Sequence, residues 1–87
     1  MDLKAVNDTR VAVAAIIVEM PDAVSALNSL LHEYGAYIIG RMGIPYKPKD
    51  IAVISIALDA PQDIISALTG KLGRINGISV KTAYSSH

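Results

Sequence analysis

The stretch RVAVAAIIVEMPD, Arg10 to Asp22, decides the fold. Its apolar run, Val11 to Val18, is eight residues long, far short of the about 20 that a membrane span needs. The run is rich in β-branched residues, which suits a strand. No small-residue cleavage site follows it, as a secretory leader would require. Glu19 and Pro21 follow instead. The strand, Thr9–Met20, is apolar on both faces: Val11, Val13, Ala15 and Ile17 on one, Ala12, Ala14, Ile16 and Val18 on the other. Such a strand lies in the middle of a sheet. Pro21 stops it and suits the first turn of a helix. Asp22 then places a negative charge where the helix dipole favours it.

This punctuation returns. Glu19-Met20-Pro21 matches Asp59-Ala60-Pro61 at an offset of 40 residues, and Ala26-Leu27 and Leu31 match Ala67-Leu68 and Leu72 at an offset of 41. Each unit therefore carries a strand and then a helix. In the first helix Val24, Leu27, Leu30, Leu31 and Tyr34 share one apolar face, with Gly35 as its stop. In the second the face is Ile64, Leu68, Leu72 and Ile75, and Asn76-Gly77 turns the chain. The remaining strands are Tyr37–Ile44, Ile51–Leu58 and Ile78–Tyr84, with a turn over Pro45 to Asp50. The order is β-α-β-β-α-β. Two such tandem units predict an α+β, ferredoxin-like βαββαβ sandwich: a four-stranded antiparallel sheet, order 4-1-3-2, with both helices on one face. Residues 1–8 read as a flexible tail and residues 9–85 as a single domain.

Composition narrows the function. The chain has 87 residues, 52% of them hydrophobic, but neither Trp nor Phe and only four Tyr. Few aromatic platforms are present for stacking bases. Eight basic residues balance eight acidic ones, so no direct nucleic-acid contact and no membrane contact are expected. The absence of Cys excludes disulfides, thiolate metal sites and thiol nucleophiles, and fits a reducing, cytoplasmic setting.

The helices cover one sheet face only. The central strands put apolar or small residues on the other face whichever way the phase falls, and soluble monomers rarely expose so much apolar surface. A homo-oligomer, dimer or tetramer, is expected through the open sheet face or the edge strands.

No catalytic constellation is present: no nucleophile elbow, no P-loop and no paired His cluster. The chain is expected not to be an enzyme and to carry no cofactor or metal. Glu19 and Asp59 end equivalent strands, so they are expected near each other at one end of the sheet, as dipole and turn charges. His32 reads as a solvated residue of a helix end. Gly70 and Gly73 mark either an approach to a ligand or neighbour, or close packing and an early helix end. The stretch YGAYIIGRMGIPYKP, Tyr34 to Pro48, is the densest in special residues. Gly40 and Gly43 flank Arg41-Met42 and predict a bulge in an edge strand. Arg41, near Tyr46, is suited to clamp an anionic ligand or to pair across an interface.

Over Arg10 to Ser85, and most specifically at Ile39-Gly40-Arg41-Met42-Gly43 and Ala67-Leu68-Thr69-Gly70-Lys71-Leu72-Gly73-Arg74, the chain resembles a small family of ACT-like proteins described as regulators of the iron-only hydrogenase system. The resemblance implies an ACT-like fold, a regulatory role and ligands held between subunits near strand–helix turns. Here those positions are Glu19 to Asp22, with Arg41 or Met42 from a neighbour. The candidate ligand or interface residues are Glu19, Asp22, Gly40, Arg41, Met42, Gly43 and Tyr46. A hydrogenase-related protein partner is the alternative to a small ligand. The nickel-responsive repressor of similar fold needs several histidines and a cysteine for its metal. This chain has two His and no Cys, so no nickel site is carried over.

Overall fold

The structure, a computed structural model, describes residues 8–86. The expected tail thus lies outside the described residues except for Asp8, and His87 lies outside them too. The elements are β1 (Thr9–Val18), α1 (Ala23–Glu33), β2 (Ile38–Tyr46), β3 (Ile51–Pro61), α2 (Gln62–Gly73) and β4 (Ile78–Tyr84). Short 3-10 turns, Gly35–Tyr37 and Lys47–Lys49, flank β2. The sheet order is β2-β3-β1-β4 and every pairing is antiparallel. This is the ferredoxin-like arrangement, with the apolar strands β1 and β3 in the middle.

The packing fixes a phase that the two-faced strands left open. Ala12, Ala14, Ile16 and Val18 of β1 and Ile54, Ile56, Leu58 and Ala60 of β3 face inward. Leu27 and Leu31 of α1 and Ile65, Leu68 and Leu72 of α2 close over them. Branched aliphatic side chains make up most of the core, with Ala12, Ala14, Ala23, Ala60 and Tyr34 among them, and no polar or charged side chain is buried among the described residues.

Several local expectations shift. β3 continues three residues past Leu58, because Asp59, Ala60 and Pro61 still pair with β1. Pro61 is consequently the N-cap of α2 and not its first turn. Pro45 lies inside β2 opposite Ala52; an edge strand loses only an outward N–H to proline. Gly35 does not cap α1 in a left-handed conformation. Tyr34 is the C-cap and the chain winds on into a 3-10 turn, closed by Tyr37 N–H to Tyr34 O at 3.0 Å. Glu19 and Asp59 are not neighbours. Asp59 pairs with Val11, and β1 runs on for seven more residues before Glu19, about 26 Å at roughly 3.3 Å per residue. Tandem repeats put their strands antiparallel in this fold, so equivalent ends point opposite ways.

Candidate functional site

β2 is an edge strand, and from Ile39 to Tyr46 it is exposed on both faces. The register slips between Ile38 and Gly40, leaving Ile39 as the bulge expected there. Beyond the slip, side chains alternate between two environments. Arg41, Gly43 and Pro45 face the helix side, opposite Ile56, Ile54 and Ala52. Gly40, Met42, Ile44 and Tyr46 face the open side, opposite Ala57, Ser55, Val53 and Ile51. The candidate residues therefore fall into two sets, separated by the thickness of the sheet.

On the helix side, Arg41 Nη2 donates to Asn28 Oδ1 of α1 at 2.9 Å. Both groups are exposed, so the planar guanidinium keeps donors free for a further acceptor. One helical turn earlier on α1, Val24 joins Val18, Pro21, Asp50, Ile51 and Ala52 around a cleft of about 160 Å3. Asp50 closes this cleft in the left-handed region, φ 53°, which Asp tolerates better than most residues. The cleft thus lies between α1 and the start of β3, and the guanidinium reaches α1 from β2 one helical turn further on. Glu19 and Asp22 flank the Pro21 end of the cleft. Glu19 accepts from Ser79 Oγ at 3.3 Å, while Asp22 is the N-cap of α1 without a side-chain cap bond.

On the open side, Met42 is 60% and Val13 is 42% exposed. Val11, Ile44, Tyr46 and Val53 complete the patch. No group of three His, Cys, Asp or Glu side chains among the described residues is placed to hold a metal ion. His32 sits exposed in the last turn of α1.

Two further side-chain clusters form. Arg10 lies over the Tyr84 ring at 4.7 Å and donates to Gln62 Oε1 (2.8 Å) and Ser85 O (2.9 Å). Lys71 lies over the Tyr34 ring at 5.0 Å and 3.8 Å from Glu33 Oε2. It borders an open groove of about 530 Å3 between the helices, floored by Ala26, Leu30 and Ile75. Both clusters need partners distant in sequence, so composition and spacing gave no signal for them. Gly70 stands open, with only Arg74 Nη2 at 4.0 Å from a Cβ built on it, and Gly73 ends α2.

Fold and site together define a small ferredoxin-like domain with one covered and one bare sheet face, and a basic side chain on an exposed edge strand. The family model TM1266-like, described provisionally as an iron-only hydrogenase system regulator, matches residues 10–82, and the chain belongs to this family. It is similar to the uncharacterized protein TM1266 from Thermotoga maritima: 36% identity, TM-score 0.84, covering 87% of this chain and 96% of that one. The C-terminal domain of the MgtC protein from Mycobacterium tuberculosis has the same fold at 14% identity, with a TM-score of 0.71 and 92% of each chain covered. So does part of a formyltetrahydrofolate deformylase from Pseudomonas putida KT2440, at 16% identity and a TM-score of 0.60; the match covers 92% of this chain and 30% of that one. No curated protein matches the chain. No helix among the described residues is long and apolar enough to cross a membrane.

Proposed function

We propose that the chain is a non-catalytic, ACT-like regulatory module of an iron-only hydrogenase system, a ligand sensor that works as a homo-oligomer. Its ligand is a small anion with an apolar body, held along α1 between Arg41 and the cleft at the start of β3. Arg41 clamps the charge, and the cleft beside the Glu19–Asp22 turn takes the apolar part. The observation that carries this reading is the Arg41–Asn28 hydrogen bond. It holds the only arginine of β2 on α1, one helical turn from the mostly apolar cleft beside Val24. The non-catalytic part draws its support from the family description as a regulator.

Thermal melting against a panel of small carboxylates and phosphates tests the reading. A true ligand at a hundred times its dissociation constant adds about 2.7 kcal/mol of stability. Arg41→Ala is expected to abolish that gain. A panel without any shift, or a shift that Arg41→Ala leaves intact, contradicts the assignment.

A second reading is a protein adaptor for hydrogenase maturation, favoured by the exposure of β2 from Ile39 to Tyr46. Capture of a maturation enzyme, lost in Arg41→Ala, supports it; capture unaffected by that change removes Arg41 as the contact.

A further inference from the structure

We infer that a second copy of this chain covers the open sheet face, with the two sheets stacked face to face about a two-fold axis near the middle of β1 and β3. The inference rests on the oligomeric part of the function proposed above, and not on its ligand.

The strand registers give the face its relief. One row across the sheet reads Ala83, Val13, Ala57, Gly40. The next reads Lys81, Ala15, Ser55, Met42, and the one beyond it Ser79, Ile17, Val53, Ile44. Lys81 and Ser79 stand on the β4 edge and Ser55 is the one polar residue inside these rows, while Val13, Ile17, Val53, Met42 and Ile44 make the rest apolar from β1 to the β2 edge. The core of an interface is apolar in the same way. The first row is low and smooth, which lets a second sheet approach to the roughly 10 Å at which sheets stack.

The size suits a copy. Four strands at about 4.8 Å and seven residues at about 3.3 Å give a projected face of roughly 450 Å2. A standard dimer buries roughly 800 Å2 of accessible surface per partner, so a copy of equal breadth would lie over the whole face.

The charge suits a copy as well. Among the strand positions on this face only Asp59 and Lys81 are charged, with opposite signs. The chain as a whole has a formal net charge of zero. Two copies meet without repulsion, whereas a strongly charged partner finds no complement here.

Gly40 belongs to the low row as well. It stands beside the bulge at Ile39, which accounts for a glycine within one chain, and it leaves that end of the row without a side chain.

The chain has no Cys, so single cysteines report the interface directly. Val13→Cys lies at the centre of the face, Ile39→Cys on the exposed β2 edge and Ser25→Cys on the exposed side of α1. With a short bismaleimide at micromolar protein, Val13→Cys is expected to give a covalent dimer, and the other two only monomer. In parallel, Val13→Lys is expected to keep the native circular dichroism and raise the dimer dissociation constant by roughly a hundredfold or more. An assembly whose cross-link forms at Ile39, or that survives Val13→Lys unchanged, overturns the stacked face while the oligomeric reading stands. A 9.2 kDa species at every concentration overturns both.

Discussion

Met20 fills the space over which Gly77 turns. A Cβ built on Gly77 stands 2.7 Å from both Cβ and Cγ of Met20, and the glycine holds φ +89°. Beside it, Glu19 N–H donates to Gly77 O at 2.8 Å, tying the β1–α1 turn to the turn before β4. Gly77→Ala therefore meets two penalties, a left-handed backbone worth about 1–2 kcal/mol and a contact inside van der Waals range. Urea unfolding is expected to show a loss of about 2–4 kcal/mol. Met20→Gly in the same chain removes the contact but not the backbone term, so it recovers part of the loss and not all of it. Full recovery contradicts this account.

Lys71 makes a pH-dependent contribution. Its pKa is raised above the ordinary lysine value, first by the Tyr34 side chain as hydrogen-bond partner and then by the Glu33 carboxylate, against opposition from desolvation and Arg74. A raised folded-state pKa means stability that is fully present below the unfolded-state value and lost as pH rises through the folded-state value. The melting difference between the native chain and Lys71→Met is expected to stay constant from neutral pH to about pH 9, and to shrink only above about 10.5. A difference that shrinks between pH 6 and 8 contradicts the assignment to Lys71.

Arg10 holds the end of β4. It spans Gln62 on α2 and the Ser85 carbonyl while stacking on Tyr84, and Ser85 N–H donates to Val11 O at 2.8 Å nearby. Arg10→Ala is expected to speed amide exchange at Tyr84 and Ser85 with a global loss near 1 kcal/mol. Unchanged exchange there removes the staple.

The two faces of the central strands should respond differently. Leu58 of β3 is 1% exposed and packs in the core, so Leu58→Ala is expected to cost about 2–5 kcal/mol. That is much of the stability of a domain this size. Val13→Ala on the open face, measured in a chain kept monomeric by dilution, is expected to cost less than about 1 kcal/mol. Equal losses would mean that the open face is covered within one chain.

The strand order was legible because the strand–helix unit occurs twice and because only central strands are apolar on both sides. That same two-sidedness hid which face of β1 turns inward; only the placement of Leu27, Leu31, Leu68 and Leu72 decides it. The bulge at Ile39 followed from glycines in an edge strand, whereas the extension of β3 to Pro61 did not, because proline reads locally as a stop. The candidate site was legible as a list of residues but not as a geometry. Arg41 and Met42 are adjacent in sequence and lie on opposite sides of the sheet. The Asn28 partner of Arg41 depends on where α1 packs, which no local pattern encodes.

Sedimentation velocity of the unmodified chain across micromolar concentrations tests the covered sheet face most directly. The account predicts a principal species of at least twice the 9.2 kDa chain mass, returning to a folded single chain when Val13→Lys is introduced. A single 9.2 kDa boundary for the unmodified chain throughout that range contradicts it.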